Sequence, residues 1–204
     1  MAPPTSAQTP QGPYWYENLG EHDFQRLCAA IIVHKFDKVR CYPVGQKDGG
    51  RDIKRKTAGG DLVYQVKWSK NAVKDPVGWL TKAVEGERAK IKRHVANGAT
   101  RYILVTSVAG TSAMAKDDTG RGAGTIDKVD KVDEVIEAFR VEFGLQEMEC
   151  WWREDLDAHV VNAPANILWR FQKMLAARRP CASFLRQARQ NSLSTGSLSS
   201  SAKR

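Results

Sequence analysis

Three side chains in the middle of the chain, Asp52, Gln65 and Lys67, have the types and spacing for phosphodiester chemistry. They belong to two stretches, Gly45-Gln46-Lys47-Asp48-Gly49-Gly50-Arg51-Asp52-Ile53 and Asp61-Leu62-Val63-Tyr64-Gln65-Val66-Lys67-Trp68. The pattern reads as a glycine turn entering one strand, a hairpin loop at Thr57-Ala58-Gly59-Gly60, and a second strand. Side chains alternate across a strand, so Val63, Gln65 and Lys67 share one face, and Leu62, Tyr64, Val66 and Trp68 share the other. A carboxylate at the start of the first strand then stands beside an amide and an ammonium at one sheet edge. Hard oxygen ligands suit a divalent cation, and a lysine steadies a water or the charge that develops on phosphorus. Asp52 is therefore expected to hold Mg²⁺, with Mn²⁺ as a substitute, Gln65 to assist as ligand or orienter, and Lys67 to act on water or charge. The competing reading is an Asp52–Lys67 ion pair on the sheet surface, worth about 0–1 kcal/mol and without chemistry.

These residues need a scaffold, and the periodicity supplies one. Phe24, Leu27, Cys28 and Ile31 recur at helical spacing and predict a helix over roughly residues 20–35, with Glu21 and Gln25 on a neighbouring face. A short strand is expected over 39–44, with Pro43 at an edge or irregular end. Pro76 suits the first turn of a helix reaching about Asn97, and Gly98 stops it. That helix carries Lys82, Arg88, Lys90, Lys92, Arg93 and His94, partly balanced by Glu85 and Glu87; most such charges form a solvated face. Residues 101–108 read as a strand buried on both faces. A helix over 127–143 with Val132, Val135, Ile136 and Phe139 inside, a strand over 147–152, and a helix over 156–175 broken near Pro164 complete the order. Gly120-x-Gly122-x-Gly124 fails as a phosphate-binding loop, lacking both Gly-Lys-Ser/Thr and the dinucleotide spacing; Lys116 and Arg121 beside it are candidate DNA contacts. Asp48 reads equally as support for the site or as a turn residue. His22 and His34 have no partner at metal-ligand spacing and read as surface residues.

Composition limits the function classes. The chain has 204 residues, 42% hydrophobic and 27% charged, enough for one domain with a sizeable core. A net charge of +9 calls for a polyanionic partner, and nucleic acid fits better than membrane because no basic helix has a wide apolar face. No apolar run reaches a membrane span and Met1-Ala2-Pro3-Pro4 does not open a signal peptide, so a cytoplasmic protein is expected. Cys28, Cys41, Cys150 and Cys181 are irregularly spaced, which favours reduced structural thiols over zinc. Residues 1–13 read as a flexible leader, 14–180 as the domain, with Tyr14, Trp15 and Tyr16 stapling the leader to the core, and 181–204 as a basic, Ser-rich tail or linker.

Asp-Gly-Gly-Arg-Asp at 48–52 followed by Gln-Val-Lys at 65–67 resembles the Mrr-type branch of the PD-(D/E)xK nuclease superfamily, in which Gln commonly replaces the acid of the last motif. The resemblance extends to Leu19–Cys28, similar to the family's first helix, and to Tyr102–Ser107, similar to its next core strand. It implies a restriction-endonuclease-like α/β fold, a mixed central sheet flanked by helices in the order αβββαβ. It also implies a Mg²⁺-dependent endonuclease acting on double-stranded DNA, the effector domain of a bacterial restriction or anti-phage defence protein. Gln25, placed where the family usually has Glu, joins Asp52, Gln65 and Lys67 as a site residue, and the neutral side chain implies weaker metal binding. Lys54, Arg55, Lys56, Lys90 and Arg93 are the expected DNA contacts. Cutting both strands takes two sites or two visits, which makes a homodimer or higher oligomer a natural arrangement, and a further domain C-terminal to the tail is expected. The alternative is a non-catalytic DNA-binding or sensor module that kept the fold.

Overall fold

The structure, a computed structural model, describes residues 13–45, 52–71, 73–110 and 125–175. Helix α1 (Gly20–Lys35) leads into β1 (Val39–Cys41), β2 (Ile53–Thr57) and β3 (Gly60–Lys67). Helix α2 (Pro76–Ala96), β4 (Ala99–Thr106), α3 (Thr125–Phe143), β5 (Glu147–Trp151), α4 (Arg153–Val161) and α5 (Ala165–Arg170) follow. The strands form one mixed sheet in the order β1-β2-β3-β4-β5. The first three are antiparallel, and β3, β4 and β5 are parallel. Parallel neighbours need long crossovers, and α2 and α3 provide them. The chain is thus mixed α/β, a five-stranded sheet with helices on both faces.

Each face has its own apolar core. On one side Phe24, Leu27, Ile31 and Ile32 of α1 pack with Leu156 and Val160 of α4 against Ile53, Leu62, Tyr64, Ile103 and Val105. On the other, Leu80, Val84 and Ile91 of α2 and Val132, Phe139 and Phe143 of α3 cover Val63, Tyr102, Leu104 and Met148. The alternation expected for β3 holds: Leu62 and Tyr64 belong to the first core, Val63 to the second. Full burial of such a side chain contributes about 1.5–3 kcal/mol.

Local chemistry sets the ends of α2. Asp75 Oδ1 accepts from Gly78 N at 3.0 Å and Pro76 fills the first turn. Gly98, at φ +90°, takes a left-handed conformation beyond Ala96. The expected strand over 39–44 is shorter. After Cys41 only Tyr42 N continues the ladder, donating to Asp52 O at 2.9 Å, and Pro43 has no N–H to offer. The helix expected over 156–175 is two helices, α4 and α5, parted by Pro164. Tyr16 is fully buried and its hydroxyl donates to Asp157 at 2.6 Å, so the aromatic cluster does anchor the entering chain. Buried Arg153 ties that anchor down, donating to Tyr14 O at 2.9 Å and Ser107 O at 3.0 Å and pairing with Glu17. Residues 1–12 of the expected leader, the turn residues Asp48, Gly49 and Gly50, the loop bearing Lys116 and Arg121, and the tail over 181–204 lie outside the described residues. Among the described residues no helix is long and apolar enough to cross a membrane.

Candidate active site

Asp52 precedes β2, and its backbone N–H donates to Tyr64 O at 3.2 Å. One step beyond the Ile53↔Tyr64 pair, this sets Asp52 opposite Gln65 on β3. Only 8% exposed, its carboxylate takes three N–H donors. Gln25 Nε2 of α1 reaches Oδ1 at 2.7 Å, and Gln65 Nε2 and Val66 N reach Oδ2 at 2.8 and 2.6 Å. Gln25, expected on a face neighbouring the apolar stripe, is buried with that stripe, and its amide is aimed at Asp52.

Gln65 is 7% exposed, and its buried Oε1 has no hydrogen-bond partner among the described residues. Turning the amide over would face Oε1 with the Asp52 carboxylate, two acceptors together, so the present orientation leaves the carbonyl oxygen orphaned. The hydroxyl of Tyr102, on the same sheet face, is likewise buried and unpartnered. Burial pushes the Tyr102 phenol well above its ordinary pKa, and the negative charges of Glu87 and Asp52 add to the shift. Unsatisfied buried polar atoms are costly, and among the described residues Glu17 Oε2, Arg55 Nε and Glu87 Oε2 share that condition with these two.

Lys67 does not pair with Asp52. Its Nζ lies 2.5 Å from Oε1 of Glu87 on α2, and Lys90 Nζ lies 2.7 Å from Oε2 of the same carboxylate. The surface Asp52–Lys67 pair is therefore replaced by a Lys67–Glu87–Lys90 cluster, and the buried Asp52 is bound by Gln25, Gln65 and Val66 N instead. Burial alone would raise the pKa of Glu87, but the hydrogen bonds and charges of the two lysines outweigh it and bring it below the ordinary carboxylate value. Sequence reasoning passed over Glu87 as a balancing surface charge. The available signal was its position as the one acid on the buried stripe Leu80, Val84, Glu87, Ile91, His94.

The expected DNA contacts divide. Lys54 is half-buried in an ion pair with Asp61, and Arg55 packs over the Phe36 ring at 4.3 Å on the α1 side. Lys90 is held by Glu87, whereas Lys56 and Arg93 are exposed. Beside the carboxylate, a cleft of about 420 Å³ lined by Gln25, Arg26, Ala29, Tyr42, Asp52 and Arg170 opens on the α1 side. Arg26 and Arg170 were not anticipated there; their signal appears only when α1 and α5 are brought together.

Among the described residues no group of three or more His, Cys, Asp or Glu is gathered for a metal. The donor set still suits a hard, largely hydrated cation. Gln65 Oε1 is a neutral oxygen donor on the side chain that also binds the Asp52 carboxylate through its Nε2. Searches of family models, of curated proteins and of solved structures give no match for this chain.

Proposed function

We propose that the chain is a divalent-metal-dependent DNA endonuclease domain with a restriction-endonuclease-like core, centred on Asp52. The observation that carries this reading is the buried carboxylate gripped by Gln25 and Gln65 while Gln65 Oε1 lacks a partner. Asp52 and Gln65 are the residues that would hold Mg²⁺, with Gln25 fixing the Asp52 carboxylate from the other side. When bound, the ion supplies Lewis-acid polarisation of a phosphoryl oxygen. Lys67, two residues along the strand from Gln65 and on the same face, would stabilise negative charge on the scissile phosphate. Exposed Lys56 and Arg93, and the guanidinium of Arg170 at the cleft, would supply positive charge for the backbone of the nucleic acid, whereas that of Arg26 is paired with Asp23 at 2.9 Å.

The sensor-module reading has one observation in its favour: three N–H donors already compensate Asp52 without a cation. Incubation with supercoiled plasmid, with Mg²⁺ and with EDTA, separates the two. The nuclease converts plasmid to nicked or linear form only with the ion; plasmid retarded in a gel yet uncut under both conditions supports the sensor.

A further inference from the structure

Glu87 occupies an unusual place. A glutamate side chain with 6% exposure, on the sheet-facing stripe of α2, costs desolvation that an apolar residue would avoid. Its two oxygens face different lysines: Oε1 accepts a hydrogen bond from Lys67, whose side chain is 31% exposed, while Oε2 has Lys90, 42% exposed, as an ion-pair partner at 2.7 Å without hydrogen-bond geometry. Lys67 sits near the end of β3, where its long side chain would otherwise sample many rotamers. Lys90 lies one helical turn beyond Glu87 and anchors the carboxylate from the solvent side, leaving Oε1 aimed at the strand. Two cations on one carboxylate keep a net positive charge in the cluster, so Lys67 remains attractive to a phosphate even while paired.

Building on the nuclease reading of the Asp52 site, we propose that Glu87 is the positioning residue for Lys67, fixing the ammonium on the β3 face that Gln65 shares, two residues along the strand, before substrate arrives. Glu87 touches neither substrate nor ion; it acts through Lys67. Preorganisation of this kind lowers the barrier without adding affinity, because no ordering is left to be done at the moment of reaction. The pairing also explains why a carboxylate rather than a leucine occupies this position of the stripe.

The test is a double-mutant cycle on plasmid nicking in the full chain, with Glu87→Gln, Lys67→Ala and the double variant, alongside DNA affinity and thermal melts. Glu87→Gln, close in size, is expected to lower kcat about 10- to 100-fold, as loss of a supporting contact does, with DNA affinity unchanged within about two-fold. The double variant is expected to be no slower than Lys67→Ala alone, since a residue acting only through Lys67 has nothing left to position. Glu87→Asp, which keeps the charge but withdraws it by a methylene, is expected to fall between wild type and Glu87→Gln. Folded variants that nick at the wild-type rate, or losses that multiply in the double variant, overturn the proposal while leaving the Asp52 site standing. If neither Glu87 variant folds, the residue is structural and the proposal falls. A wild type that binds DNA and never nicks it removes the nuclease reading, and this role with it.

Discussion

At the position of Gln25 Nε2, 2.7 Å from Asp52 Oδ1, a glutamate would bring two carboxylates into contact inside a buried pocket. Like charges so placed cannot both ionise cheaply, so Gln25→Glu is expected to melt below wild type in EDTA, by about 1–3 kcal/mol at neutral pH. The same variant has a stronger cation site. Mg²⁺ should raise its melting temperature more than that of wild type, and half-maximal nicking should need less Mg²⁺. Calorimetric melts with and without the ion check both expectations; a Gln25→Glu protein indifferent to Mg²⁺ places residue 25 away from the metal. Wild type, with one carboxylate and two neutral amides, should bind Mg²⁺ weakly in the absence of DNA.

The elements that carry these residues have their own testable chemistry. Because the folded-state pKa of Glu87 lies below its ordinary 4.5, its contribution to stability is present above the unfolded value and is lost as pH falls through the folded one. Melts of wild type and Glu87→Gln across that acid range are expected to converge at the acid end; parallel curves would mean that the ion pair with Lys67 contributes nothing to docking α2. At the β2–β3 hairpin, Gly60 has φ +112°, and a Cβ there would lie 2.6 Å from Thr100, so Gly60→Ala should destabilise by about 1–3 kcal/mol in denaturant titrations. Helix α1 was legible from Phe24, Leu27, Cys28 and Ile31, because local periodicity reports a buried face directly. The Asp52–Gln65 juxtaposition was legible from strand alternation and a hairpin. The partner of Lys67 was not: it depends on how α2 rotates over the sheet, a tertiary outcome that apolar spacing constrains only if the lone acid on the stripe is taken seriously.

At the scale of the whole molecule, charge and topology work together. A net charge of +9 predicts DNA binding with little sequence preference and a steep salt dependence. If about five phosphates are neutralised, log K falls with log salt at a slope of roughly −4 to −5. Fluorescence anisotropy across a salt series measures it, and affinity that stays flat would remove the electrostatic account. The mixed sheet brings Gln25 of α1, Asp52 ahead of β2, Gln65 and Lys67 of β3 and Glu87 of α2 into one neighbourhood from sites far apart in the chain. The most direct test of that neighbourhood as a catalytic centre is the rate at which Asp52→Ala and wild type nick supercoiled plasmid in saturating Mg²⁺. In the proposed site Asp52 is the carboxylate that would hold the ion, so the variant should be slower by at least about 10²- to 10³-fold while still binding DNA. Nicking by folded Asp52→Ala at the wild-type rate would contradict the account.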